Sequence, residues 1–112
     1  MTSPIISDCL EEMAERADPT PAVGAATRSV RRARAEQLDE VHAVVNGAAF
    51  YAKGFRSPTD WLTVTTRDSV GACKLTLQLA DRIQDMPLVK ASFAVGDLAE
   101  SALRLLSLAW AP

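Results

Sequence analysis

Apolar residues in this chain recur at spacings of three and four, and no stretch keeps the alternating period of a strand. Leu38, Val41, Val45, Ala48 and Ala52 form one such stripe, and Val70, Cys73, Leu77, Ala80 and Ile83 form another. Leu75 and Leu79 widen the second stripe, which makes its helix a central one. The expectation is an all-α fold, a compact domain of five or six helices with one long central helix. A chain of 112 residues fits a single domain with a modest core.

Local punctuation divides the chain. Residues 4–17 read as a short amphipathic helix, with Ile6, Leu10, Met13 and Ala17 on one face. "DPTPAVG" (Asp18 to Gly24) reads as a connector, which divides the chain into an acidic N-terminal helix and linker over 1–21 and a helical core over 22–112. The long helix is expected from about Ala25 to Lys53, weakened at Gly47 and ended by Gly54. In "GFRSPTDWL" (Gly54 to Leu62), Ser57 is an N-cap and Pro58 the first helical residue. Asp60 imitates the third residue of a capping box, and Trp61 and Leu62 anchor that helix in the core. Ser69 or Asp68 caps a helix running to about Ile83, Pro87 opens one that ends at Gly96, and Asp97 or Leu98 opens the last, to Trp110.

Charge is uneven rather than extreme. The formal net charge is -2, which excludes a whole-chain electrostatic argument for nucleic acid. Residues 1–21 carry five acids and one base, whereas residues 24–56 carry six bases and three acids. The N-terminus lacks a basic leader followed by an apolar core, and no run reaches the length of a membrane span, so a cytoplasmic protein without membrane contact is expected. Cys9 and Cys73 lie outside any metal-ligand spacing and read as reduced, buried residues, with a bridge between them as the alternative.

No catalytic constellation is legible. His42 is the one histidine, in the long helix near Glu36, Asp39 and Glu40. A metal site needs three or four convergent ligands, and a nucleophilic triad needs a base beside its nucleophile. No metal, cofactor or catalytic residue is therefore expected. The strongest electrostatic feature is "TRSVRRARAE" (Thr27 to Glu36), with Arg28, Arg31, Arg32 and Arg34. It reads either as a solvated helix start, partly paired with Glu36 or with Glu11, Glu12 and Glu15 of the first helix, or as a set of contacts to phosphates or an acidic partner. The arginines stand near the expected helix N-terminus, where the dipole disfavours cations and a partner would relieve them. The helices around Thr66 have helix-turn-helix proportions, but the second offers Ser69, Val70, Gly71 and Ala72 at its first turn, with only Lys74 beyond. That is a poor set for reading bases.

The ordered residues Gly54, Ser57, Trp61-Leu62, Ser69, Cys73 and Ala80, followed by "MPLVKASFAVGDL" (Met86 to Leu98), resemble a known family. This is the helical domain of unknown function 222, found mostly in actinobacteria ahead of a C-terminal HNH endonuclease domain. Two positions depart from its pattern: Arg67 stands where glycine is common, and Ala99 where a serine or threonine cap is usual. The HNH motif is absent from these residues, so nuclease activity attaches to none of them. The resemblance implies a non-catalytic accessory domain, a stand-alone or truncated copy. The leucine-rich last helix is then expected to meet either a second copy or a missing C-terminal domain. The alternative is a DNA-binding module using Arg28, Arg31, Arg32, Arg34 and Lys74.

Overall fold

A computed structural model describes residues 20–109, and among them the fold is all-α. The order is α1 (Thr20–Asn46), a single-turn α2 (Ala49–Ala52), α3 (Pro58–Thr66), α4 (Val70–Arg82), a 3-10 turn (Ile83–Asp85), α5 (Pro87–Ala94) and α6 (Glu100–Ala109). The readings for residues 4–17, Cys9 and Trp110 lie outside the described residues.

The spine is α1, 27 residues and about 40 Å long. It begins earlier than expected, because Thr20 to Gly24 are helical rather than a connector. Pro21 falls in the first turn, where a missing N–H removes no intrahelical bond. The helix also ends earlier. The chain turns at Ala48, which is left-handed with φ 52°, so Ala48 and Ala52 leave the core stripe and are exposed. Gly47 N–H bonds Ala43 O and Ala48 N–H bonds Val45 O, so the last carbonyls of α1 are met by the turn itself.

The remaining punctuation follows local chemistry. Ser57 Oγ accepts the N–H of Asp60 at 3.1 Å and Ser69 Oγ accepts that of Ala72 at 3.1 Å, so both serines cap their helices. Pro58 and Pro87 occupy first turns. Gly54 closes α2 through a paired motif: its own N–H bonds Tyr51 O, and Phe55 N–H reaches back to Phe50 O. Phe55 packs against the core that holds Phe50, the apolar contact that accompanies this motif.

The C-terminal half of α1 buries Ala35, Leu38 and Val41. It packs on α4 and α5; α3 packs on α4, and α6 closes against α4 and α5. Trp61, Leu62, Cys73, Leu79, Ala80, Ile83, Met86, Phe93 and Leu103 complete the core. Leu98 precedes α6 and packs half-buried against this core. Val70, placed on the α4 stripe by its spacing, is 53% exposed at the helix start. Thr76 takes a core position instead, with only 4% of its surface exposed. Cys73 is buried and forms no disulfide among the described residues, its Sγ 3.7 Å from Thr66 Oγ1.

Candidate functional site

The four arginines face the chain's own C-terminal part. Arg31 Nη1 donates to Gly96 O at 3.2 Å, and Arg32 Nε donates to Val95 O at 3.4 Å. These are carbonyls at the end of α5, where helix termini leave acceptors unmet and favour cations. Arg28 lies 3.7 Å from Asp97, an exposed pair worth little by itself. Arg34 is the best engaged. Its Nε meets Glu100 Oε1 at 2.5 Å, Nη1 meets Gln37 Oε1 at 2.6 Å, and Nη2 donates to Thr76 Oγ1 at 3.0 Å. One guanidinium thereby ties α1 to α4 and α6.

Glu36 is not a partner: the acids that pair with these arginines among the described residues are Asp97 and Glu100, more than sixty positions away. The other expected partners, Glu11, Glu12 and Glu15, lie outside the described residues. The expected dipole penalty also disappears. Because α1 starts at Thr20, Arg28 lies more than two turns inside, and the dipole acts mainly on the first turn.

Backbone geometry permits the contact. Gly96 has φ +85°, its N–H bonds Phe93 O, and Asp97 N–H bonds Ser92 O, the same closing motif as at Gly54. A β-carbon at Gly96 would stand 2.9 Å from Arg28 O, so α1 and the α5 terminus touch backbone to backbone. The glycine end of α5 was legible; its contact with Arg28 was not.

Lys74 is exposed on α4 and makes no ion pair among the described residues. The first turn of α4 is exposed too, but Ser69 Oγ is committed to its cap. His42 is half-buried beside Val45, Asn46, Thr59 and Asp81. Among the described residues no three His, Cys, Asp or Glu side chains converge on a metal-sized site, and no helix is long and apolar enough to cross a membrane.

The leucine-rich last helix behaves differently from the arginines. Leu103 is fully buried, while Leu105, Leu106 and Leu108 are 68%, 41% and 75% exposed. Across from Leu106, Leu88 on α5 is 85% exposed, and Val95, just past the end of α5, is 52% exposed. Residues Asp85–Val89 form one wall of an open groove of about 410 Å³, and Leu106 and Ala109 form the other. The sequence reading placed the apolar surface on the last helix alone and missed Leu88. A signal was present: Leu88, Ala91, Ser92 and Val95 share a face that Val89 and Phe93 do not.

Comparison with known proteins finds no match: no protein-family model, no curated protein and no solved structure corresponds to this chain.

Proposed function

We propose that this chain is a non-catalytic helical interaction module, related to the N-terminal region of HNH endonuclease-type proteins. The carrying observation is the apolar groove between α5 and α6, which exposed Leu88 and Leu106 line, with Leu105 and Leu108 also exposed on α6. Contiguous patches of this kind on soluble proteins mark interaction sites. The relationship draws support from two details. Arg67, where the resembled family favours glycine, is left-handed with φ 61°. Ala99, where that family favours a cap, accepts the Leu103 N–H at the start of α6, in the capping position.

The test joins light scattering after size exclusion with binding of an apolar fluorescent dye. The expected result is dye binding or self-association that falls when Leu88 and Leu105 are made charged. A monomer that binds no dye would sink the reading.

A second reading is a DNA-binding module, favoured by one observation. Lys53, Arg56, Arg67 and Lys74 are exposed around α3 and α4 and make no ion pair among the described residues. A gel shift over a salt series tests it. Retardation that weakens with salt and with loss of Arg67 and Lys74 supports this reading; its absence at low salt removes it.

A further inference from the structure

The first half of α1 is helical without a cover. From Thr20 to Ala33 no residue is buried, and the first buried one is Ala35. A projecting helical segment gains little from propensity alone and draws its stability from an apolar face packed on a neighbour. Such a face is present. Val23, Ala26, Val30 and Ala33 follow one another at spacings of three and four. Val23 is 59% exposed and Val30 68%. The face turns away from the rest of the fold, since Arg28, on the opposite side of the helix, is the residue that touches Gly96. Towards its end the face is concave: Val30, Ala33, Arg34 and Gln37 line an open hollow of about 400 Å³.

A matching strip lies in the same chain. Residues 4–17, outside the described residues, are joined to the start of α1 by only Asp18 and Pro19. Loops of two to five residues connect antiparallel helix pairs. Ile6, Leu10, Met13 and Ala17 repeat at spacings of four and three. Counting back from Ala17 and forward from Val23 sets Ala17 against Val23, Met13 against Ala26, Leu10 against Val30 and Ile6 against Ala33. The pairs stay level to within one residue, about 1.5 Å of helix. Three of them place a larger side chain against an alanine, the alternation by which facing helices interdigitate. In this register Leu10 and Ile6 meet the hollow beside Val30 and Ala33. Residues 4–17 and 20–33 are also of equal length, about 21 Å as helix. Tethering selects the occupant. A segment held two residues away acts at a millimolar effective concentration, which a second copy or a separate protein must outcompete.

We propose that residues 4–17 fold back on α1 as an antiparallel helical hairpin and cover its Val23–Ala33 face. Asp8, Glu11, Glu12 and Glu15 fall opposite the apolar positions of their segment. In the hairpin they stay in solvent and do not pair with Arg28 and Arg32, which are turned to Asp97 and Val95. The N-terminal segment is then part of the domain rather than a separate helix and linker. The proposal concerns α1 and does not rest on the groove between α5 and α6.

The test is hydrogen exchange of the full chain, read segment by segment at a low and a high protein concentration. Residues 6–17 are expected to exchange about tenfold or more slower than in an unfolded chain. Val30→Lys is expected to abolish that protection while α4 stays protected, which shows that the fold survives. Glu12→Lys, on the solvent face of the segment, is expected to leave it intact. Exchange of residues 6–17 at the unfolded rate in the native chain overturns the proposal. So does protection indifferent to Val30→Lys, since the segment then docks elsewhere, or protection lost in Glu12→Lys, since another face is then packed. Protection that appears only at high concentration overturns it too, because a second copy then supplies the cover.

Discussion

Gly96 and Arg28 touch through their backbones: a β-carbon on the glycine would stand 2.9 Å from the arginine carbonyl oxygen. The same glycine has φ +85°, which L side chains rarely adopt. Gly96→Ala therefore meets two costs, backbone strain and an overlap with a helix that cannot yield cheaply. Gly54 is the internal control, because its φ is +89° but nothing lies within 4 Å of its β-position. We expect Gly54→Ala to lose about 1 kcal/mol and Gly96→Ala clearly more than about 2 kcal/mol in urea unfolding. Equal losses would show that the close approach to α1 carries no energy.

Two other left-handed positions among the described residues lack glycine. Ala48 has φ 52° and Arg67 has φ 61°. A side chain in this region costs about 1–2 kcal/mol, part of which glycine returns as unfolded-state entropy. Ala48→Gly and Arg67→Gly are each expected to stabilise the fold by up to about 1 kcal/mol, read as a rise in melting temperature. At Ala48 the glycine of the native chain stands one residue early, at Gly47.

The start of α6 has no side-chain cap of the kind that Ser57 and Ser69 provide. Ala99 accepts the Leu103 N–H through its carbonyl, but its methyl group offers no acceptor to the free N–H groups of the first turn. Ala99→Ser is expected to add about 1 kcal/mol, and Ser57→Ala and Ser69→Ala to lose about as much. Hydrogen exchange at residues 100–103 would report the gain locally.

Arg34 has a structural role that any nucleic-acid experiment must respect. Its guanidinium holds Glu100 and the buried Thr76 together, with only 22% of its side chain exposed. Arg34→Ala should cost about 1.5–3 kcal/mol, because a charge-assisted bond is lost and a buried hydroxyl loses its partner. Arg28→Gln should cost well under about 1 kcal/mol, since the Asp97 pair is solvated. A binding defect that follows the melting temperature across these variants reports folding; one seen in Arg28→Gln alone reports contact.

The sequence by itself determined the helical class and most of the punctuation. Ser57, Pro58, Ser69, Pro87, Gly54 and Gly96 act within five residues of themselves, through hydrogen bonds or φ values that depend on the local chain. Cys73 and Ala80 were legible as core because they lie on an apolar stripe, and Trp61 and Leu62 because they follow a capped helix start as its apolar anchor. The ends of α1 were read less well. Proline in a first turn and proline in a connector look alike, and the turn fell at Ala48 rather than running on to Gly54. Only tertiary structure decided where the arginines go. Asp97 and Glu100 lie far off in the sequence, and the packing of α1 on α4 and α5 brings them within reach of Arg28 and Arg34. It also decided which leucines of α6 are covered. Periodicity shows that apolar residues surround this helix, but only packing against α4 and α5 buries Leu103 and leaves Leu105 and Leu108 facing out.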